Sequence, residues 1–247
     1  MNRLGHLAER AAHRLAWQCV PAKMIDRALP LDDPHLEAVY LKRGVILIHI
    51  PKNAGTSVEE AIYGYRVRHR TWSDIRRTCP TAWATLPKIA IVRDPVDRFL
   101  SAYDYLRAGG RNPADYAFAR RLVAGKSAAE VAHQLAHRPR YRRVAMRYFH
   151  FRAQSDYVCD GTKAVVDHLI PIWDMAAGLH RYAGVPPEAL RHENRTGGQR
   201  TSVSDLTPDD LANIETVYAA DRALFDAVCD GWAAGDQAAE TRRASGT

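Results

Sequence analysis

The chain has 247 residues, of which 47% are hydrophobic and 26% are charged, and its formal net charge is +7. This composition is typical of an ordinary globular protein with one sizeable core, and it excludes no class of anionic ligand. Nucleotides, nucleic acid, acidic glycans and membrane surfaces all suit a basic chain. The four cysteines (Cys19, Cys79, Cys159 and Cys229) are widely spread. That spacing argues against a zinc site and favours buried free thiols in a reducing compartment.

The N-terminal segment carries charges every few residues and lacks the apolar stretch of a secretory signal. No run approaches the roughly 20 apolar residues that a membrane span needs, so we expect a cytoplasmic protein. We expect three parts: an N-terminal helical extension (1–40), a main domain (41–235) and a flexible tail (236–247). Residues 5–19 have helical spacing, which favours a packed helix. The alternative is a basic amphipathic helix in peripheral contact with a membrane.

The first recognisable unit is a strand, a tight loop and a helix. Val45–Ile50 is a short apolar run rich in β-branched residues, as in a strand buried on both faces. Pro51 ends the strand, and a helix is predicted from Thr56 onward. Thr56 or Ser57 can cap that helix, and Glu59 and Glu60 are placed in its first turn, where they favour the positive end of the dipole.

A second unit of the same kind follows. Ile89–Val92 predicts a strand that runs into Arg93-Asp94-Pro95, and a helix is predicted from about Val96. Asp94 is interpreted as the cap of that helix, while Arg98 is either functional or simply solvated. Two such units predict an α/β fold with a central parallel sheet, flanked by helices, in a single domain. Ligands are then expected at the carboxyl ends of the strands.

The remaining chain is read more coarsely. Helices are predicted over 114–150, which include a dense cluster of arginines, and a strand over 164–170. A helix over 172–184 ends at Gly184, and a polar loop covers 192–202. A last helical segment over 208–233 starts with Thr207 as its cap and Pro208 at its first position.

The loop after the first strand has the chemistry of an anion cradle. A helix start offers unpaired backbone N–H groups and a positive dipole end. Gly55 lets the backbone curl closely around an anion, Thr56 and Ser57 add hydroxyl donors, and Lys52 adds a cation. The nucleotide-kinase pattern GxxxxGK[ST] is absent, because the lysine precedes the glycine here. An ordinary strand–helix turn capped by Thr56 remains an alternative for the loop taken alone.

Two motifs in this order carry a family resemblance. The segment His-Ile-Pro-Lys-Asn-Ala-Gly-Thr-Ser at 49–57 resembles the loop of carbohydrate sulfotransferases that binds 3'-phosphoadenosine 5'-phosphosulfate (PAPS). The segment 92–103, VRDPVDRFLSAY, resembles that family's 3'-phosphate motif. The resemblance covers residues 44–228, and it implies a P-loop-like fold and transfer of a sulfuryl group from PAPS to a hydroxyl. The segment at 151–157 is similar to a further family segment, although Ala153 stands where that pattern has proline.

The resemblance also implies roles for particular residues. Lys52 is expected to act in catalysis and to contact the 5'-phosphosulfate. The backbone of Asn53, Ala54, Gly55, Thr56 and Ser57 is expected to cradle the same group. Arg93 and Ser101 are expected to bind the 3'-phosphate, because arginine can bind phosphate through two parallel hydrogen bonds. Arg195 and Thr196 are placed over the 3'-phosphate or adenine. The chemistry needs no metal, and no ligand cluster in the sequence suggests one.

The acceptor side is less readable. Among the eleven histidines, His69 is the first choice for the base, since its segment is similar to one in uronyl 2-O-sulfotransferases where a histidine is the base. A surface histidine in a basic loop is the alternative, and His150 is the rival base. His49 is interpreted as packed or loop-supporting. The arginines at 138–147 either bind an anionic acceptor or form a solvated face.

The expected partners are PAPS and a hydroxyl acceptor, namely a glycan, a glycolipid or another hydroxyl compound, with no nucleic acid. Two rival functions stay open. A P-loop-type nucleotide kinase shares the strand–loop–helix logic, and a non-catalytic polyanion-binding module would suit the charge.

Overall fold

The computed structural model describes residues 33–190 and 200–245, with side chains described to residue 233. The architecture is mixed α/β, with a small parallel sheet among helices. The helices are α1 Leu36–Arg43, α2 Gly55–Tyr63, α3 Trp72–Thr78, α4 Pro80–Thr85, α5 Pro95–Arg107, α6 Pro113–Leu122, α7 Ala128–His137, α8 Pro139–Ala145, α9 Ser155–Val158, α10 Met175–Ala183, α11 Pro208–Val217 and α12 Ala219–Ser245. The strands are β1 Ile46–Leu47, β2 Lys88–Val92, β3 Cys159–Asp160, β4 Lys163–Ala164 and β5 His168–Pro171. Three short 3₁₀ turns lie at Ile172–Asp174, Pro187–Ala189 and Val203–Asp205.

The central sheet has the order β1-β2-β5, and both pairings are parallel. Leu47 pairs with Ile89 and Val92 pairs with Pro171, so the carboxyl ends of the three parallel strands point toward the same edge of the sheet. The apolar run predicted as a strand is shorter than expected, although Ile48 still donates to the carbonyl of Ile89 at 2.9 Å. Chain that leaves β1 and β2 therefore emerges on one edge of the sheet, and the prediction of two adjacent anion loops depends on that geometry.

The strand predicted over 164–170 is divided in the structure. Its first residue belongs to the two-stranded antiparallel hairpin of β3 and β4, and the parallel strand β5 begins only at His168. The prediction was therefore right about a third parallel strand and wrong about where it starts. An apolar run of this length does not reveal which neighbour it will pair with.

Two apolar clusters hold these elements. One surrounds the sheet and includes Ile46, Ile89 and Ile170, all fully buried. The other fills the space between the helices and includes Phe99 and Val131. The helix α5 begins directly after β2 and contributes Phe99 to the second cluster. The packed helical layer therefore fixes the position of the second loop, which joins β2 to α5.

Several helix boundaries follow local sequence signals. The capping box of Thr207 and Asp210, with Pro208 at the first position, starts α11 as predicted. Gly184 ends α10 in a left-handed conformation, also as predicted. The last helical segment is two helices, divided at Tyr218, and α12 continues to Ser245 through most of the segment assigned to a tail. The predicted helix over 5–19 lies outside the described residues.

Candidate functional site

The first loop leaves β1 and reaches α2 through a strained backbone. Lys52 and Ala54 have φ of 72° and 60°, in the left-handed region that residues with a Cβ rarely adopt. The helix begins at Gly55, with Ala54 at the N-cap and no side-chain cap. The prediction that Thr56 or Ser57 caps it was therefore wrong, because both lie within the first turn. The first amides of α2 are left free of side-chain acceptors and face the cleft as an anion nest.

His49 supports this loop from behind. A Cβ on Gly55 would lie 2.0 Å from Cδ2 of His49, so only glycine allows the imidazole to pack against the loop. His49 is buried, and its Nδ1 lies 2.7 Å from Oε1 of Glu59. The same oxygen of Glu59 accepts the backbone N–H of Arg68 at 2.6 Å. The interpretation of His49 as loop-supporting is confirmed. Glu59 was wrongly placed in the first turn, since it lies in the fifth position of α2 and is buried.

The second loop, after β2, is built differently. Oδ1 of Asp94 accepts the amides of Val96 and Asp97 at 2.8 and 3.0 Å, and Pro95 occupies the first helical position. Asp94 is thus the cap that the sequence predicted. Its other oxygen accepts from Arg222 of α12 at 2.8 Å. With the helix amides already satisfied, the anion-binding groups of this loop are its side chains.

A buried amide brace joins the two loops. Nδ2 of Asn53 donates to the carbonyl of Ile91 at 2.8 Å and to Oε1 of Gln154 at 3.1 Å. Gln154 in turn donates from Nε2 to the carbonyl of Arg93 at 2.8 Å, and its Oε1 accepts the amide of Arg93 at 3.2 Å. The side chain of Asn53 therefore fixes the spacing of the two loops, a role separate from the one predicted for its backbone.

Arg98 adds a second brace. It is 1% exposed and donates to the carbonyls of Pro51 and Arg152 at 3.3 and 2.5 Å. Its Nη1 lies 3.9 Å from Oδ2 of the buried Asp221. The alternative of a solvated helix residue is thereby wrong, because Arg98 ties the start of the first loop to α5.

Both loops open into one cleft of about 600 Å³. Arg93 donates from Nη1 to the carbonyl of Lys52 at 3.3 Å, so the two loops touch directly. Arg195 and Thr196 lie outside the described residues. The cleft brings together these predicted site residues: Lys52, Ala54, Gly55, Thr56, Ser57, His69, Arg93 and Ser101.

The Lys52 ammonium occupies a half-buried position in this cleft. Burial, and then the nearby cations Arg111 and Arg93, lower its pKa to about 8. At neutral pH the lysine is still mostly charged, although an anion that displaced water from the cleft would bind to it strongly.

His69 faces the same cleft from the segment after α2. Its ring stacks on Phe149, with centroids 5.0 Å apart. Nδ1 lies 3.4 Å from the carbonyl of His49, which can only accept, so the proton lies on Nδ1 and Nε2 keeps its lone pair. Burial, and then the neighbouring His49 and His150, hold the pKa of His69 well below its usual value. The imidazole is therefore neutral at pH 7 and can accept a proton.

The structure adds cleft residues that sequence reasoning missed. Arg200 lines the cleft close to Arg93, whose pKa is lowered by burial and by that second guanidinium. Thr201 donates from its amide and hydroxyl to Asp104 at 2.9 and 2.7 Å, which anchors this segment to α5. The polar composition of 192–202 was the available signal for Arg200. Arg111, also in the cleft, has no comparable signal in the sequence.

The arginine cluster at 138–147 lies elsewhere. Arg138, Arg140 and Arg143 line a separate surface groove with His133, and that groove shares no lining residue with the cleft. The cluster is therefore not part of the site that the two loops form.

In comparisons with known proteins, no family model, no curated protein and no solved structure matches the chain. In the part of the chain that the structure describes, no group of three or more histidine, cysteine, aspartate or glutamate residues is arranged to hold a metal ion. In that same part, no helix is long and apolar enough to cross a bilayer.

Proposed function

We propose that the protein is a sulfotransferase that moves a sulfuryl group from PAPS to a hydroxyl of an acceptor, with a carbohydrate or glycolipid as the first candidate. The observation that carries this proposal is the meeting of two separate anion sites in one cleft. Lys52 and the open start of α2 form one site, and Arg93 with Ser101 forms the other. PAPS carries anionic groups at two positions, and a cleft with two cationic ends suits such a molecule.

The residues present fit PAPS at both ends. The absence of a side chain at Gly55, where a Cβ would overlap His49, lets the imidazole support the first loop from behind while the start of α2 faces the cleft. Arg93 and Arg200 together supply two guanidinium groups for the 3'-phosphate. Ser101, on α5, adds a hydroxyl to the same part of the cleft. When bound, PAPS supplies an activated sulfuryl group, and PAP is the product.

The chain's own groups account for the transfer. An S–O bond forms to the acceptor oxygen while the S–O bond to the phosphate oxygen of PAP breaks, and negative charge builds on that leaving oxygen. Lys52 and the first amides of α2 are fixed in place to stabilise this charge, as in phosphoryl transfer. The acceptor proton passes to Nε2 of His69, the ring nitrogen whose lone pair is free.

The small parallel sheet with a cradle after β1 agrees with a P-loop-like fold, which we include in the proposal. The kinase alternative has no comparable support, since Lys52 precedes Gly55 and lies in the turn before the helix. The first loop supplies an anion cradle without the GK[ST] sequence that such kinases use.

Ligand binding tests the proposal most directly. PAP added without magnesium should raise the thermal midpoint of the protein, because a ligand that binds only the folded state stabilises it. ATP without magnesium should produce a much smaller rise. If millimolar PAP leaves the midpoint unchanged, the sulfotransferase proposal is wrong. A screen of hydroxyl acceptors with labelled PAPS then identifies the second substrate.

The His69→Ala variant tests the base. We expect turnover to fall by about a hundredfold or more, the usual contribution of general base catalysis, while PAP affinity stays close to that of the wild type. The exposed His180 on α10 provides a matched control, and His180→Ala should retain normal turnover. Near-normal turnover in His69→Ala would move the role of base to His150, which also lines the cleft.

A further inference from the structure

The Lys52 ammonium rests on an aromatic ring. Nζ lies 4.2 Å from the centroid of the Tyr105 ring, within the range of an attractive cation–π contact. Tyr105 belongs to α5 and follows Ser101 by one turn, so the helix that carries the second anion site also carries this ring. Among the described residues, Lys52 has no ion pair with a carboxylate. The cation–π contact with the ring is therefore the principal attractive contact of the ammonium among these residues.

The Tyr105 hydroxyl is itself held. It donates to Oδ2 of Asp115 at 2.5 Å and accepts the amide of Arg111 at 3.0 Å. A phenol that donates to a carboxylate gains electron density in its ring, and the negative face that attracts a cation becomes stronger. The carboxylate thus acts on Lys52 through the ring without touching it.

Asp115 is a buried carboxylate that accepts several hydrogen bonds. It is 0% exposed and accepts from the hydroxyls of Tyr105 and Tyr148 and from Nδ2 of Asn112. Nε2 of His150 lies 3.3 Å from its Oδ1. Burial alone raises the pKa of Asp115, but His150 and the two tyrosine hydroxyls outweigh it and lower the pKa to about 2. A permanent negative charge therefore lies behind the Tyr105 ring.

We propose that Tyr105 and Asp115 form a positioning unit that holds the Lys52 ammonium in the cleft against the repulsion of Arg93 and Arg111. This inference rests on the proposed function, since the lysine it positions is the one assigned to the leaving group. Lysine has a flexible four-carbon stem, and two guanidinium groups near its ammonium would otherwise drive it toward solvent. A ring that attracts the cation without neutralising it leaves the full positive charge available for the ligand.

The charged and titratable groups around Lys52 come from several elements. Arg93 follows β2, Asp104 and Tyr105 lie on α5, Arg111 lies in the next loop and Asp115 in the first turn of α6. His69 and His150 complete the surroundings, and the charge of Lys52 lowers the pKa of both. The two guanidinium groups lower the pKa of Lys52 and the two carboxylates raise it. Removal of the ring takes away a further group that favours the charged form, so the titration of Lys52 should shift toward lower pH.

The test compares Tyr105→Leu, which removes the aromatic face, with Tyr105→Phe, which keeps the face and loses the bond to Asp115. Tyr103→Leu is the matched control. Tyr103 is a buried tyrosine on the same helix, and its hydroxyl donates to the carbonyl of Lys126 at 2.8 Å, outside the cleft. Comparable losses of thermal stability in the two leucine variants would separate the effect on Lys52 from general damage to α5.

The readout is the pH dependence of acetylation at Lys52, measured by peptide mass spectrometry on the full-length protein without ligand. The wild-type midpoint is expected at about pH 8. In Tyr105→Leu the neutral-amine fraction at pH 7 should rise about two- to fourfold, the equivalent of one cation–π contact. Tyr105→Phe should show a smaller rise and Tyr103→Leu none. Turnover in Tyr105→Leu should fall about tenfold, with the larger part in kcat.

The outcomes separate the two proposals. An unchanged midpoint in Tyr105→Leu, or an equal shift in Tyr103→Leu, would overturn the positioning role even if PAP binds. If the midpoint shifts but the protein does not bind PAP, the Tyr105–Lys52 contact is supported and the sulfotransferase proposal is wrong. The expected midpoint shift together with the loss of kcat supports the positioning unit.

Discussion

The two loops at the sheet edge carry similar polar residues, but the groups that each loop offers to an anion are different. The first loop has two left-handed residues, Lys52 and Ala54, and a helix start without a side-chain cap. The second has an aspartate cap and a proline, and the side chain of Asp94 occupies the first amides of its helix. The first amides of α2 therefore have no side-chain acceptor, whereas those of α5 are satisfied by Asp94.

This difference indicates a division of labour in the cleft. The first loop can surround a charge from several sides, which suits a group whose charge changes during a reaction. Among the described residues, the second loop offers an anion the side chains of Arg93 and Ser101, together with the neighbouring Arg200, which suits a group that serves as an anchor. Variants in the first loop should therefore affect turnover most, and variants in the second should affect affinity most.

Lys52→Ala provides the largest expected effect. It removes the one side-chain cation of the first loop, and kcat should fall by about a hundredfold or more, as when an oxyanion-hole donor is lost. PAP affinity should fall much less, because the amides of α2 remain. Steady-state kinetics with labelled PAPS, together with PAP titration, would measure both quantities. A loss confined to affinity would break the contrast between the loops.

Arg93→Ala is the corresponding change in the second loop. Loss of a charge-assisted hydrogen bond should weaken PAP binding by about ten- to a hundredfold. Turnover at saturating PAPS should be reduced less than in Lys52→Ala. Calorimetric titration with PAP is the measurement. Normal PAP affinity in this variant would contradict the assignment of Arg93 as an anchor.

The pH dependence of PAP binding sharpens the same comparison. The Lys52 pKa is about 8, below its ordinary value, so the lysine loses its charge as pH rises through 8. If binding requires the charged form, affinity should fall about tenfold between pH 7 and pH 9. Lys52→Arg stays charged throughout this range and should not show the decline. A decline of the same size in Lys52→Arg would place the titrating group elsewhere.

Asp94→Ala should have the smallest effect on the ligand. Removal of this cap should cost about 1 kcal/mol of stability, a typical value for an N-cap. PAP affinity should stay the same or rise slightly, because two amides of α5 become free and a negative charge is lost. Thermal unfolding with and without PAP would measure both. A large loss of PAP affinity would show that Asp94 belongs to the ligand site.

The sequence by itself predicted the features that depend on residues close together in the chain. The two strand–loop–helix units, the Asp94 cap, the Thr207 capping box and the end of α10 at Gly184 are local features, and the structure confirms them. The convergence of Lys52, His69, Arg93 and Ser101 in one cleft also follows the prediction, because carboxyl ends of neighbouring parallel strands meet at one edge. The boundaries of short strands were less predictable, since pairing partners decide them.

Only the tertiary structure decided which polar residues face the ligand and which hold the loops. Asn53 and Gln154 lie 101 residues apart in the chain and form one brace, while Arg98 is buried against the first loop rather than solvated. Tyr105 contacts Lys52, and Asp115 accepts from Tyr105, only because α5 and α6 pack beside the first loop. A side chain's local sequence limits its conformation, but its partners come from distant segments, so burial and charge at this site follow from the packed fold.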